Sequence, residues 1–176
     1  MMRIIAGDLK GRQFESPHAQ RTHPMADKVR GALFNALGDI EGLTVLDAFA
    51  GSGALGYEAV SRGAAHVMAI DIDKRAQHAI AANIKALGIG SKMKLIKANA
   101  SGWSDNNPDA SFDIVIAAPP YDDLQPKLMA KLIRHAKPEG LFILDWPGKM
   151  ELPDLPGLEL LTAKNHGDAQ IAFYRA

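Results

Sequence analysis

The sequence contains no cysteine among its 176 residues. A disulfide framework, a thiolate metal site and a cysteine nucleophile are therefore excluded, together with every enzyme class that depends on them. The histidines offer no replacement metal site, because those at positions 66, 78, 135 and 166 have no acidic or histidine partner at the spacing of metal ligands. We predict no metal, and we expect these histidines at the surface or the core edge.

Long apolar runs and a net charge are also lacking. No segment reaches the length that a membrane-spanning helix needs, and the apolar start at residues 1–7 is too short for the apolar region of a signal peptide. We therefore expect a cytoplasmic protein with no membrane partner. With 176 residues, of which 47% are hydrophobic, the chain can bury the core of one domain.

The formal net charge of 0 hides a basic N-terminal end. Residues 1–30 contain six lysines and arginines but only three acidic residues. Contacts from such side chains to phosphates supply most of the non-specific affinity for nucleic acids. The basic end therefore indicates a nucleic-acid contact, and a chance imbalance on a solvated face is the alternative.

Three glycines fall within ten residues at positions 47–56, which read DAFAGSGALG. The apolar residues 44–46 predict a short buried strand before it, and residues 55–62 predict a helix after it. Glycines allow left-handed backbone dihedrals and the close approach of a ligand. The unpaired N–H groups at a helix start can bind a carboxylate or phosphate. This pattern indicates a ligand-binding loop.

Two acids favour one ligand over others for this loop. Gly51, Gly53 and Gly56 match the fingerprint of dinucleotide folds, G-x-G-x-x-G. Asp47, however, would repel a pyrophosphate and attract the ammonium group of a methionine moiety. Asp71 ends the next apolar run, where an acid can accept hydrogen bonds from ribose hydroxyls. S-adenosylmethionine is therefore the predicted cofactor, with a nicotinamide dinucleotide and a purely structural turn as alternatives.

Strand and helix patterns alternate from residue 44 onward, which predicts an open parallel sheet covered on both faces. Strands are predicted at 44–47, 66–71, 93–97, 112–117 and 140–145, and helices at 27–37, 53–62, 74–87 and 124–136. The region 100–110 is predicted as loop or short helix. No helix fits between the apolar runs 158–162 and 170–175, so they predict an antiparallel hairpin at the sheet edge.

The first residues predict a separate small element. Residues 3–7 and 12–15 flank a turn and predict a β-hairpin, and two prolines mark residues 16–24 as an irregular connector. We therefore divide the chain into a β-hairpin with a basic arm over residues 1–24 and an α/β domain over residues 25–176.

The second candidate loop is Ala118-Pro119-Pro120-Tyr121, directly after the predicted strand 112–117. Ligands of such sheets lie at the carboxyl ends of the strands, so this loop should face the same crevice as the glycine loop. The prolines stiffen the backbone. Tyr121 could stack on a flipped-out base while the Pro119 carbonyl accepts its exocyclic N–H. A stiffened loop with Tyr121 at the core edge is the alternative.

The glycine loop, Asp71 and the Pro-Pro-Tyr loop together resemble class I S-adenosylmethionine-dependent methyltransferases that act on amino groups. More narrowly, the chain resembles the bacterial methyltransferases that modify guanine N2 in 16S ribosomal RNA. This similarity is carried by residues 2–7 with 11–12, 27–30 with 33–35, 47–56 and 167–168. It implies a Rossmann-like fold with a seven-stranded, mostly parallel sheet. We expect a monomer. The implied partner is small-subunit ribosomal RNA or an assembling small ribosomal subunit.

The resemblance also implies roles for individual residues. Cofactor contacts are expected from Asp47, Phe49, Ala50, Gly51, Gly53, Asp71, Ile72 and Asn99. Ile72 would pack on the adenine ring and Asn99 would face its amino group, unless Asn99 is an ordinary turn residue. The catalytic base pocket is expected from Ala118, Pro119, Pro120 and Tyr121, and RNA phosphate contacts from Arg3, Arg12, Arg21, Lys28 and Arg30.

The sequence departs from the family pattern in three places. The tripeptide His23-Pro24-Met25 replaces Arg-Pro-Thr, Gly31 replaces an acid, and Ala118 replaces the Asp or Asn before the prolines. That Asp or Asn would accept a hydrogen bond from the target amine and direct its lone pair, which alanine cannot do. Losing one charged hydrogen bond at a reacting centre lowers a rate by about 10² to 10³. We therefore expect a folded, cofactor-binding protein with weak or absent turnover.

Three functions remain open on the sequence. The first is direct methylation of guanine N2 in ribosomal RNA, for which the basic N-terminal end is an argument. The second is methylation of an adenine amine or a glutamine amide, because the Pro-Pro-Tyr loop serves those families too. The third is a non-catalytic RNA-binding protein that keeps the fold. The absence of cysteine argues against carbon-5 methylation, which uses a cysteine nucleophile.

Overall fold

The computed structural model describes residues 1–17 and 25–176, and the predicted contact Arg21 lies outside these ranges. The strands are β1 (Met2–Arg3), β2 (Gln13–Phe14), β3 (Thr44–Asp47), β4 (His66–Asp71), β5 (Met93–Lys97), β6 (Phe112–Ala117), β7 (Ala136–Pro147), β8 (Glu159–His166) and β9 (Ala169–Arg175). The helices are α1 (Asp27–Leu37), α2 (Ala54–Ser61), α3 (Lys74–Leu87), α4 (Ala100–Asn106) and α5 (Pro126–Leu132).

Seven strands form one sheet in the order β5-β4-β3-β6-β7-β9-β8. The strands from β5 to β7 run parallel, whereas β9 is antiparallel to both of its neighbours, β7 and β8. The strand order reverses between β3 and β6, and ligands of such sheets bind at this point, beyond the carboxyl ends of the strands. The predicted mostly parallel sheet with an antiparallel C-terminal hairpin is confirmed.

Two hydrophobic cores cover the two faces of the sheet. Successive side chains of a strand point to opposite faces, so Ile116 and Ile143 pack in the first core while Val115 and Phe142 pack in the second. Helices α1, α2 and α3 contribute Phe34, Tyr57 and Ile80 to the first core, and α4 and α5 contribute Trp103 and Met129 to the second. Each side chain at a strand end can therefore be assigned to one face.

The N-terminal hairpin packs on the first core rather than standing apart from it. Strands β1 and β2 pair antiparallel, and Ile4 and Phe14 are buried. The Phe14 ring meets the Tyr57 ring edge-on with 4.8 Å between their centroids. The backbone N–H of Ile5 donates to the Glu58 carboxylate of α2 at 2.9 Å. These contacts join the start of the chain to the helix that follows the glycine loop.

The predicted ends of one helix and two strands are wrong. The helix predicted at 124–136 begins at Pro126, and its last turn, Ile133–His135, is a 3₁₀ helix. Proline is favoured in the first turn of a helix, where its missing N–H is not needed. Strand β7 begins at Ala136 instead of residue 140, and β8 extends to His166, so Gly167 and Asp168 alone make the hairpin turn.

Candidate active site

Asp47 is the last residue of β3, and its side chain is completely buried. Neither carboxylate oxygen has a hydrogen-bond partner among the described residues. Burial raises the pKa of this carboxyl to about 7, and the negative charge of Asp71 adds to the increase. The nearby Phe49 backbone N–H does not reach hydrogen-bond geometry with Asp47, and its dipole opposes the increase only in part. A buried acid without a partner can ionise easily only when a cation lies beside it. This geometry fits the ammonium group of an amino-acid moiety.

Asp71 joins the end of β4 to the glycine loop. One carboxylate oxygen, Oδ2, accepts the Gly51 N–H at 2.7 Å, and the other, Oδ1, accepts the Asp73 N–H at 2.8 Å. Burial raises the pKa of Asp71, although both hydrogen bonds lower it. Since each carboxylate oxygen can accept more than one hydrogen bond, Asp71 can still accept from a ribose hydroxyl.

The glycine loop depends on the absence of a side chain at Gly53. Its φ of +81° lies in the left-handed region, and a Cβ there would be 2.3 Å from the Tyr57 hydroxyl oxygen. The loop is closed by the Gly53 N–H, which donates to the Ala50 carbonyl at 2.8 Å, and by the Ala50 N–H, which donates to the Ile70 carbonyl at 2.9 Å. Phe49 is half-buried and packs against the second core.

The two residues predicted to meet adenine have different surroundings. Ile72 follows Asp71 and is 65% exposed, so its apolar side chain is available to pack on a ring. Asn99 precedes α4, and its side-chain oxygen accepts the Ser101 N–H at 2.8 Å and the Gly102 N–H at 3.3 Å. This is an N-cap, which favours the turn alternative for Asn99. Contact of Ile72 with adenine stays a prediction.

The Pro-Pro-Tyr loop leaves the sheet directly after β6. Ala118 is half-buried, Pro119 is buried and Pro120 is exposed. Tyr121 is 42% exposed, and its hydroxyl donates to the Asp145 carboxylate at 2.5 Å, with the Trp146 carbonyl at 3.3 Å. The loop is therefore fixed through the tyrosine hydroxyl while the ring keeps an exposed part that a base could stack on.

Asp145 is a site residue that the sequence reasoning missed. It lies near the carboxyl end of β7, beside the Pro-Pro-Tyr loop. Burial raises its pKa, while the hydrogen bond from Tyr121 lowers it. The signal in the sequence was an acid that ends the apolar run 141–144, the same pattern that marked Asp47 and Asp71.

The predicted phosphate contacts divide into exposed and buried side chains. Arg3, Arg12 and Lys28 are exposed, as a phosphate contact requires. The prediction is wrong for Arg30, which is completely buried and donates to the Arg3 carbonyl at 2.7 Å and to Asp27 at 3.0 Å. Its Nε lies 3.8 Å from the buried Glu58 carboxylate. Arg30 is thus occupied in joining α1 to β1 and α2.

The interior histidine His135 is also placed differently from its prediction. It is completely buried, with Nδ1 2.7 Å from the Ala110 carbonyl and Nε2 2.7 Å from the Ser104 hydroxyl. A carbonyl only accepts, so Nδ1 donates and Nε2 accepts. Burial lowers the pKa of His135. The pair of His135 and Ser104 is therefore a core contact in which both polar groups are hydrogen-bonded.

Among residues 1–17 and 25–176, no group of three or more His, Cys, Asp or Glu side chains could hold a metal ion.

Comparison with known proteins places this site in a family. The sequence profile described as Conserved hypothetical protein 95 matches residues 2–175. The ribosomal RNA small subunit methyltransferase D of Haemophilus influenzae is 30% identical over 182 residues, which cover 99% of this chain and 93% of that protein. Its namesake in Buchnera aphidicola is 34% identical over 135 residues, covering 76% of this chain and 70% of that one. The chain belongs to this family of ribosomal RNA methyltransferases.

Solved structures agree with the family assignment. The Escherichia coli protein yhhF superposes with a TM-score of 0.87 at 30% identity, covering 99% of this chain and 97% of that one. The protein SMU.776, solved in complex with S-adenosylhomocysteine, shares the fold, with a TM-score of 0.71 at 18% identity, covering 85% of this chain and 48% of that one. Within the described part of this family member, no helix is long and apolar enough to cross a membrane.

Proposed function

We propose that this chain transfers a methyl group from S-adenosylmethionine to the exocyclic N2 of a guanine in small-subunit ribosomal RNA. The observation that carries the proposal is Asp47, a fully buried carboxylate without a partner among the described residues, which stands beside a glycine loop. The relatives named ribosomal RNA small subunit methyltransferase D support the class of substrate. The choice of guanine N2 rests on the motif resemblance.

The residues at and just beyond the carboxyl ends of strands β3 and β4 would hold the cofactor. Asp47 would bind the ammonium group, Asp71 the ribose hydroxyls, and Ile72 the adenine ring. Gly51 and Gly53 would let the methionine moiety approach the backbone between them. When bound, S-adenosylmethionine supplies an electrophilic methyl group on a positively charged sulfur.

The loop after β6 would hold the target base. A base inside a duplex cannot reach such a crevice, so the guanine must be flipped out or single-stranded. The exposed part of Tyr121 offers a stacking surface, and the Pro119 carbonyl can accept an exocyclic N–H. Arg3, Arg12 and Lys28 would contact phosphates, which position the RNA without reading its sequence.

Ala118 favours a second candidate function, that of a non-catalytic RNA-binding protein that keeps the fold and the cofactor. Alanine removes the acceptor that the family places before the prolines. Taken alone, this loss would slow transfer by about 10² to 10³.

A transfer assay separates the two candidates. Small subunits from a strain that lacks this modification are incubated with methyl-labelled S-adenosylmethionine and either the wild-type chain or Ala118→Asp. If this chain is an enzyme, label should appear in the ribosomal RNA that is incubated with the wild-type chain. Label with neither protein, while calorimetry shows that both bind the cofactor, would favour the binding protein.

A further inference from the structure

Position 118 lacks an acceptor, but the neighbouring strand provides a carboxylate at the same level of the sheet. Strands β6 and β7 are parallel, and Ala117 pairs with Leu144 at the end of their register. The next residues, Ala118 and Asp145, therefore lie side by side beyond the last pair. Asp145 thus stands next to the place where the family has its Asp or Asn.

The side chain of Asp145 projects from the face of the sheet that also bears Asp47. Ile143, two residues earlier on β7, packs in the first core, and so does Ile171, the partner of Asp145 on β9. Asp47 pairs with Ile116, which packs in that core too. Because side chains alternate along a strand, Asp145 and Asp47 share this face.

The Tyr121 hydroxyl holds one of the two oxygens of Asp145. It donates to Oδ1, whereas Oδ2 has no hydrogen-bond partner among the described residues and is not sealed from solvent. One oxygen is thus fixed and the other remains available to a ligand. Tyr121 also belongs to the loop that would hold the base, so the carboxylate and the stacking ring are positioned together.

We propose that Asp145 is a catalytic residue that replaces the acceptor missing at Ala118, and that Tyr121 is its positioning residue. This inference rests on the proposed function. Asp145 Oδ2 accepts a hydrogen bond from the target N2 amine and directs the nitrogen lone pair at the methyl group. The lone pair forms the new N–C bond, the C–S bond breaks with its electron pair left on sulfur, and the surplus proton passes from nitrogen to the Asp145 carboxylate.

The chemistry of the pair agrees with this role. Burial raises the pKa of Asp145, so the carboxylate is a stronger proton acceptor than an exposed aspartate. Its ionised form accepts hydrogen bonds from two donors at once, one from Tyr121 and one from the amine.

The test compares methyl transfer by the wild-type chain, Asp145→Asn and Tyr121→Phe on unmodified small subunits. With its oxygen bound to Tyr121, Asn would present an N–H donor where Oδ2 stood. The kcat of Asp145→Asn should fall by about 10² to 10³, whereas KM and the calorimetric Kd for the cofactor change less than about twofold. Tyr121→Phe keeps the stacking ring and should lose about tenfold in kcat. Asp154→Asn, an exposed acid, is the matched control.

A rescue experiment tests the replacement itself. The double variant Ala118→Asp with Asp145→Asn should have a kcat at least about tenfold higher than Asp145→Asn alone, because it returns an acceptor to the family position. If the kcat of Asp145→Asn equals that of the wild-type chain, the role of Asp145 is overturned and the proposed function stands. An inactive wild-type chain beside an active Ala118→Asp would overturn both the role of Asp145 and methyl transfer by this chain, and would favour the non-catalytic binding protein. Transfer by neither would overturn the proposed function, and the inference with it.

Discussion

Asp47 binds a proton at neutral pH in a way that ordinary aspartates do not. Its pKa of about 7 follows mainly from complete burial. Sequence alone could predict that this acid ends a strand beside a glycine loop, because an apolar run and turn residues mark the position. That its oxygens find no partner among the described residues depends on the three-dimensional packing, which no local pattern specifies.

The first prediction concerns the pH dependence of cofactor binding. Only the ionised form of Asp47 attracts the ammonium group, so S-adenosylmethionine affinity should fall by about tenfold per pH unit well below pH 7. Titration calorimetry from about pH 5.5 to about 8 measures this dependence. Asp47→Asn should bind weakly with little dependence on pH over this range. An unchanged affinity in that variant would contradict the role of Asp47.

The second prediction concerns the stability of the cofactor-free protein. The folded state keeps a proton on Asp47 up to a pKa of about 7, while the unfolded chain releases it near 3.8. Stability contributed by this proton is therefore complete below about pH 4 and is lost as the pH rises to about 7. Asp47→Asn should be more stable than the wild-type chain above pH 7, on the order of 4 kcal/mol, and similar to it near pH 4. Urea unfolding at both pH values checks this difference.

Asp145 shows where residue-level reasoning from the sequence stops. Three acids end apolar runs, but only the pairing of β6 with β7 shows that the third lies beside Ala118. Strand register is a non-local property and depends on the whole sheet. The same limit applies to Arg30, which the family resemblance placed among the phosphate contacts and which the packing of α1 on β1 and α2 buries.

At the level of elements, helices with clear periodicity and caps were predicted well. Helix α3 spans Lys74–Leu87 as predicted, with Asp73 as its N-cap and Gly88 as its C-cap. Helix α1 ends before Gly38, again as predicted. The helix predicted at 124–136 lacked such signals at its end, and its last turn tightened into a 3₁₀ helix before β7.

The third prediction uses two left-handed glycines that differ in their neighbours. Gly53 has a φ of +81° and Gly88 a φ of +69°, but only at Gly53 would a Cβ meet another group, the Tyr57 hydroxyl at 2.3 Å. Gly88→Ala should cost about 1 kcal/mol through backbone strain alone. Gly53→Ala should cost clearly more and also weaken cofactor binding, because α2 begins there. Thermal unfolding and calorimetry of both variants compare these effects, and equal losses would contradict the close packing of the loop.

At the scale of the whole molecule, the basic N-terminal end belongs to the same packed unit as the glycine loop. The chain is neutral overall, but its N-terminal end is basic, and that end packs on α2, the helix that follows the glycine loop. Packing of the hairpin on the core could not be predicted from its short strands, because Ile4 and Phe14 have no periodic pattern around them.

The fourth prediction concerns the salt dependence of small-subunit binding. Replacing Arg3, Arg12 and Lys28 together by alanine should weaken binding and lower the slope of log K against log salt by about 0.7 to 0.9 for each phosphate that is no longer neutralised. A control triple of exposed lysines far along the chain, Lys92, Lys127 and Lys164, should leave the slope unchanged. Filter binding at several salt concentrations measures both slopes. Equal slopes in the two triples would place the RNA elsewhere.

The most direct measurement identifies the methylated nucleoside. Unmodified small subunits are incubated with the wild-type chain and S-adenosylmethionine, and the ribosomal RNA is then digested and analysed by mass spectrometry against nucleoside standards. We predict N2-methylguanosine at one site, at a level that depends on Asp47 and Asp145. Methylation of an adenine instead, or unmethylated RNA in the presence of bound cofactor, would contradict the proposal that this chain is a guanine-N2 methyltransferase.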